Sequence, residues 1–224
     1  MHISPSPSLA RLFCVLLLTL LPWRPSFADE TKRATPSTAI TGHEFVDLAK
    51  MIPDIIIELP YATENNFFKH RFYTSNRCLL RKAVAERLAL VQRDLREQGL
   101  GLKIWDGYRP RSVQWAFWKV MPDERYVADP KKGSRHNRGA AVDCTLVDLK
   151  TKAELVMPTG FDDFTERAAA DYPKLPAEAL HNRAILTEAM HKHDFTPLPT
   201  EWWHFDAKGW EVFPLEDFNP WTDS

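Results

Sequence analysis

Two stretches of this 224-residue chain restrict the folds open to it more than any other feature. The first is Ser134-Arg-His-Asn-Arg-Gly-Ala-Ala-Val-Asp143, which sets a histidine, a glycine and a carboxylate around a short apolar run. The second is Glu201-Trp-Trp-His-Phe205, with ionisable groups among aromatics. Ionisable groups within such apolar runs are costly to bury unless they find partners. Together the stretches offer His136, Asp143 and His204 as ligands, with Glu201 left over. Three protein ligands and an open fourth position make a catalytic zinc site, where a structural one is closed by four. A fold that satisfies this must bring residues far apart in sequence to one point.

The residues between allow such a meeting. His136 and Asp143 lie seven positions apart, within reach of one another if Gly139 lets the chain turn. Ala140–Val147 reads as a strand of small and β-branched residues, so Asp143 projects from a strand and Cys144 points to its opposite face. Trp202–Phe205 reads as a short aromatic strand, with Glu201 at its mouth and Pro197-Leu-Pro199 breaking the chain before it. Upstream, Ile55–Ile57 forms a short strand ended by Pro60. A polar loop with aromatic ends follows over Tyr61–Phe67. Cys78–Gln98 is the clearest helix, because Leu80, Val84, Leu88, Val91 and Leu95 recur at three- and four-residue steps before Gly99. Leu100–Trp105 is a strand, Asp106–Pro110 a turn, and Pro110 starts a second helix. Arg109 therefore sits at a strand-to-helix junction. Pro176–Lys192 is a third helix, with Leu180, Ala184, Leu186 and Met190 on its apolar face.

At the N-terminus, a short apolar run within Leu9–Leu21 is too brief to span a bilayer comfortably. Arg11 precedes it, Pro22 ends it, and Ser26-Phe-Ala28 supplies the small residues of a cleavage site. Residues 1–28 are therefore expected to be a secretory signal peptide cut after Ala28. This predicts an exported, periplasmic or secreted, protein without a stable membrane anchor. Residues 29–42 form a polar leader, and residues 43–224 form one domain. In an exported chain Cys78 and Cys144 either form a disulfide or remain separate buried thiols. The formal net charge of −1 and the lack of a basic stripe argue against a nucleic-acid partner.

Imidazoles and a carboxylate suit zinc, and they also suit iron in a two-histidine, one-carboxylate set. Glu201 discriminates between the two, because a base beside a metal-bound water serves hydrolysis. Arg109, always charged, is the candidate for stabilising an oxyanion. The other histidines, among them His43, His70 and His193, read as surface or satisfied core residues.

Trp105-Asp-Gly-Tyr-Arg-Pro110, Ser134–Asp143 and Glu201-Trp-Trp-His204, in that order, resemble the D-alanyl-D-alanine dipeptidase family of zinc peptidases. Tyr61-Ala-Thr with Asn66-Phe67 is similar to that family's N-terminal segment. The resemblance implies an α+β fold with a small antiparallel sheet and packed helices. It implies one zinc on His136, Asp143 and His204, Glu201 as general base and acid, and Arg109 on the reacting carbonyl oxygen. It also implies that Tyr61 and Ser134 line a pocket for a small dipeptide substrate. The implied activity is hydrolysis of D-alanyl-D-alanine in cell-wall peptide turnover. The alternatives are a related D,D-carboxypeptidase or endopeptidase on longer muropeptides, and a non-catalytic, metal-stabilised wall-binding module.

Overall fold

The computed structural model of the chain describes residues 42–221. The expected signal peptide, and the expected leader up to its last residue, lie outside them. The described elements run β1 (Phe45–Asp47), α1 (Leu48–Met51), β2 (Ile56–Ile57), β3 (Leu79–Arg81), α2 (Lys82–Arg96), β4 (Leu100–Asp106), α3 (Arg111–Val120), β5 (Ala141–Asp148), α4 (Ala177–Lys192), β6 (Phe195–Leu198) and β7 (Glu201–Ala207). A five-stranded sheet in the order β2-β4-β5-β7-β6 forms the centre, and β1 and β3 make a separate two-stranded ribbon. This is an α+β domain. Its sheet is antiparallel except at one edge, where β2 pairs parallel with β4. That pairing is possible because β3 and α2 separate the two strands, the length of connection a parallel pair needs.

Helix α2 carries the expected stripe, with Val84, Leu88, Val91 and Leu95 fully buried. Each is worth roughly 1.5–3 kcal/mol on leaving water. The helix begins later than its periodicity predicts. Leu79–Arg81 is extended and pairs antiparallel with Phe45–Asp47, so Leu80 is buried from a strand rather than from the helix. Within α2 the buried Gln92 accepts from Leu102 N at 2.8 Å and donates to Asp54 at 3.1 Å, fastening the helix to β4. In α4 the buried face is Ala179, Asn182, Leu186, Ala189 and Met190. Leu180 is only partly buried and Ala184 is exposed, so the apolar face is rotated from the expected one. Phe195–Leu198 forms strand β6 where a break is expected. Pro197 is tolerated there because β6 is an edge strand.

The central strands β5 and β7 are covered on both faces, which is why Trp202, Trp203 and Phe205 are all buried in succession. Cys78 and Cys144 are buried and not bonded to each other, so they are separate thiols and not a disulfide. Burial pushes both thiols well above their ordinary pKa. Among the described residues no helix is long and apolar enough to cross a membrane.

Candidate active site

Strand register assembles most of the site. Asp143 on β5 lies directly opposite His204 on β7, and Asp106 on β4 lies opposite Asp143. The three residues therefore form one row across the sheet. A bulge between Ile104 and Asp106 brings the last of them into line. His136 comes from outside the sheet, on a single 3-10 turn, His136–Arg138, that leads into β5. Gly139 ends this turn at φ 67°, a conformation that glycine adopts without steric cost. A Cβ there would also lie 2.3 Å from a ring carbon of Phe45.

Two further contacts lock the loops that carry the motifs. Arg109 N donates to His136 O at 3.1 Å, and Asn137 Nδ2 donates to Arg109 O at 2.8 Å. Ser134 Oγ accepts from His136 N at 3.2 Å. Gly107 O lies 2.7 Å from His136 Nδ1, which leaves Nε2 as the free ring nitrogen.

His136 Nε2, His204 Nδ1 and Asp143 Oδ1 converge at separations of 3.1, 3.0 and 3.3 Å. A tetrahedral ion with ligands at about 2.0–2.1 Å requires donor atoms about 3.3 Å apart. The cluster is close to that spacing, is buried, and is the one group of three or more ligand-type residues of this kind among those described. Nitrogen and carboxylate donors suit zinc or a neighbouring divalent metal. In the metal-free protein, His136 and His204 hold Asp143 well below the usual carboxylate range, against the opposing effect of burial. Burial disfavours the charge on His204, but its bonds to Asp143 and Asp206 lift its pKa to about 10. A metal ion entering here therefore displaces a proton.

Among Arg109, Glu201 and the three ligand residues, each charge has a partner with one exception. Arg109 is buried and donates through Nε to Asp106 at 2.8 Å and through Nη1 to Gln114 at 3.0 Å. Its Nη2 lies 2.6 Å from Asp106 and 3.8 Å from Asp143. Guanidinium carries five N–H groups, so N–H capacity remains for a ligand. Glu201 is the exception. It is largely buried at the start of β7, and no described residue donates a hydrogen bond to its carboxylate. Burial raises its pKa to about 7, with His204 opposing and Asp143 assisting.

The cavity above these groups is lined by Tyr61, Ser134 and all five residues just described, with Phe68, Phe117, Tyr126 and Phe164 forming its apolar wall. Every residue singled out from the sequence thus reaches one cavity. Three that were not also support the site, and of these only Asp162 lines the cavity. Asp106 anchors Arg109, and Asp206 Oδ1 lies 3.0 Å from His204 Nε2. Asp162 lines the cavity and accepts from the Tyr61 hydroxyl at 2.8 Å. Burial holds the Asp162 carboxyl well above its ordinary pKa. Asp106 and Asp206 act on residues three and two positions away, Arg109 and His204, whereas Asp162 meets a partner distant in sequence, Tyr61.

The family model for D-ala-D-ala dipeptidases of the M15 peptidases matches residues 41–217. The D-alanyl-D-alanine dipeptidase of Escherichia coli (strain K12) is 40% identical over 172 residues, 77% of this chain and 89% of that protein. That of Enterococcus faecalis (strain ATCC 700802 / V583) is 30% identical over 195 residues, covering 78% and 96%. That of Streptomyces coelicolor (strain ATCC BAA-471 / A3(2) / M145) is 30% identical over 192 residues, covering 75% and 93%.

Proposed function

The chain belongs to the D-ala-D-ala dipeptidase family of M15 peptidases, and on that premise we propose that it hydrolyses D-alanyl-D-alanine to two molecules of D-alanine. The ligands of the zinc are His136, Asp143 and His204. The observation that carries the proposal is Glu201, a buried carboxylate without a hydrogen-bond donor among the described residues, beside a three-ligand cluster. A wall-binding module has no use for such a group, and leaving it unpaired is costly.

Bound zinc supplies Lewis acidity, which acidifies water and polarises the peptide carbonyl. The protein's own residues do the rest. Glu201 removes a proton from the attacking water as the hydroxyl oxygen bonds to the carbonyl carbon. It then delivers that proton to the amide nitrogen as the C–N bond breaks. A pKa raised toward neutrality suits a group that must both take and return a proton. Arg109, held rigid by Asp106 and Gln114, directs its remaining N–H groups at the carbonyl oxygen as negative charge develops there. Tyr61 and Ser134 line the pocket for the small substrate. Asp162 supplies the negative charge that the free ammonium of a dipeptide needs, and such a cation would offset the burial that now raises its pKa.

We also place the protein outside the cytoplasm, in cell-wall peptide turnover. The apolar run and the Ser26-Phe-Ala28 cleavage pattern support this, and a chain recovered from the native cell with an N-terminus at Asp29 would test it.

The test of the activity is zinc stoichiometry measured together with a substrate panel. One zinc per chain is expected, with cleavage of D-alanyl-D-alanine and little cleavage of an N-acylated tripeptide that ends in it. Comparable turnover of the acylated peptide would make the protein a carboxypeptidase. A zinc-loaded protein that cleaves neither would make it a binding module.

A further inference from the structure

We infer that Asp206 is a positioning residue for the metal centre, fixing the ring orientation and tautomer of His204. The inference rests on the metal-centre reading above. The two imidazoles of the cluster are held in different ways. His136 turns Nε2 to the cluster and Nδ1 to the carbonyl of Gly107, at 2.7 Å. His204 turns Nδ1 to the cluster, 3.0 Å from Asp143 Oδ1, and Nε2 to Asp206 Oδ1 at 3.0 Å. One ligand is therefore backed by a neutral carbonyl and the other by a carboxylate.

The local geometry makes this pairing stiff. His204 and Asp206 are two residues apart on β7, so their side chains share one face of the strand. A carboxylate at Nε2 keeps the proton on that nitrogen and leaves the Nδ1 lone pair free. It also makes the ring a stronger donor. Asp206 is itself braced from the loop that carries the other histidine. Its second oxygen, Oδ2, faces Arg135 Nε at 3.5 Å. The Arg135 guanidinium lies 4.7 Å from the ring centre of Trp210. Arg135 immediately precedes His136, so the series Trp210, Arg135, Asp206 and His204 ties the two ligand-bearing segments together. Arg135 and His204 also line the cavity, whereas Asp206 and Trp210 are not among its lining residues.

Zinc affinity tests this without reference to peptide hydrolysis. The full-length protein, Asp206→Asn, Asp206→Ala and Asp206→Glu would be titrated with zinc against a chromophoric chelator. Melting of the metal-free proteins checks that each variant is folded. Asn and Ala are expected to weaken zinc binding by about 10- to 100-fold while still melting cooperatively without metal at a lowered temperature, because the pair with His204 is lost, and Glu to recover part of the loss. Cobalt substitution gives a second readout, because a change in donor strength at His204 shifts the visible absorption of the bound ion. Zinc affinities within about twofold of the wild type for both Asn and Ala, with an unshifted cobalt spectrum, would overturn the inference. A wild-type protein that binds no zinc would remove the metal centre itself, and that failure appears in the wild-type arm alone.

Discussion

Replacing Asp106 with asparagine probes how the site holds a buried cation. Asp106 is completely buried. Its Oδ2 receives Arg109 Nε at 2.8 Å and lies 2.6 Å from Arg109 Nη2, while its Oδ1 receives the Tyr73 hydroxyl at 2.8 Å and Gly107 N at 2.9 Å. All four partners are donors. An asparagine in this place has one oxygen and one NH₂ group, so whichever way it turns, two donors lose their acceptor. Arg109 also loses its principal counter-ion, and the nearest remaining carboxylate is Asp143 at 3.8 Å. Removing one partner of a buried ion pair costs about 3–5 kcal/mol. For a domain of this size each kcal/mol moves the melting temperature by about 2–4 °C, so a fall of about 6–20 °C is expected. Urea unfolding of wild type and Asp106→Asn, both in chelator, measures the loss without a contribution from bound metal. The variant should also bind zinc more weakly, since Arg109 then competes for Asp143. A stability loss below about 1 kcal/mol at unchanged m-value would show that Arg109 does not depend on Asp106, and the account of a preorganised guanidinium would fail with it.

Other expectations concern the base and the turn. Glu201→Gln should keep its zinc and lose about 10²- to 10⁴-fold in kcat, and a variant with near-full turnover would remove Glu201 from the reaction. Because the ionised form of Glu201 is the base, kcat/KM of the wild type should fall as pH drops through its pKa. Burial raises that pKa from 4.5 toward about 7, while a bound cation draws it down. An acid limb between those values is therefore expected, absent from the residual activity of the Gln variant, and a flat wild-type profile from pH 3.5 to 8 would contradict it. Gly139→Ala should destabilise the protein by more than about 1–2 kcal/mol, the cost of the left-handed conformation alone, since its Cβ also meets Phe45 at 2.3 Å. Zinc content should fall in the same variant, as the turn that carries His136 is displaced. Thermal melting and metal analysis read both effects, and a variant with wild-type values for each would contradict the role given to the turn.

Much of this molecule was legible from residue order alone where the physics is local. The stripe of Val84, Leu88, Val91 and Leu95 announced α2 because helical periodicity is a property of neighbouring turns. Gly139 announced a turn because its backbone freedom belongs to the residue itself. Leu79–Arg81 looked like the first turn of that helix, since its residues continue the apolar spacing. Only pairing with Phe45–Asp47 makes it a strand. Pro197 looked like a break and is part of edge strand β6, where no ladder bond is required of it.

The site divides in the same way. Residue identity determined the chemistry on offer, namely two imidazoles, a carboxylate ligand, a spare glutamate and a fixed guanidinium, because ligand type and charge are intrinsic to a side chain. What only the tertiary structure decided is which groups meet. The register of β5 against β7 sets Asp143 opposite His204. The bulge in β4 brings Asp106 to Arg109, and the sheet face shared by residues 204 and 206 puts a carboxylate behind one imidazole and not the other. Backbone hydrogen bonds are the same at every residue, so strand register is set by how side chains of both strands pack across the sheet and by the turns that join them. The order of side chains along one strand therefore leaves open which distant segment it faces.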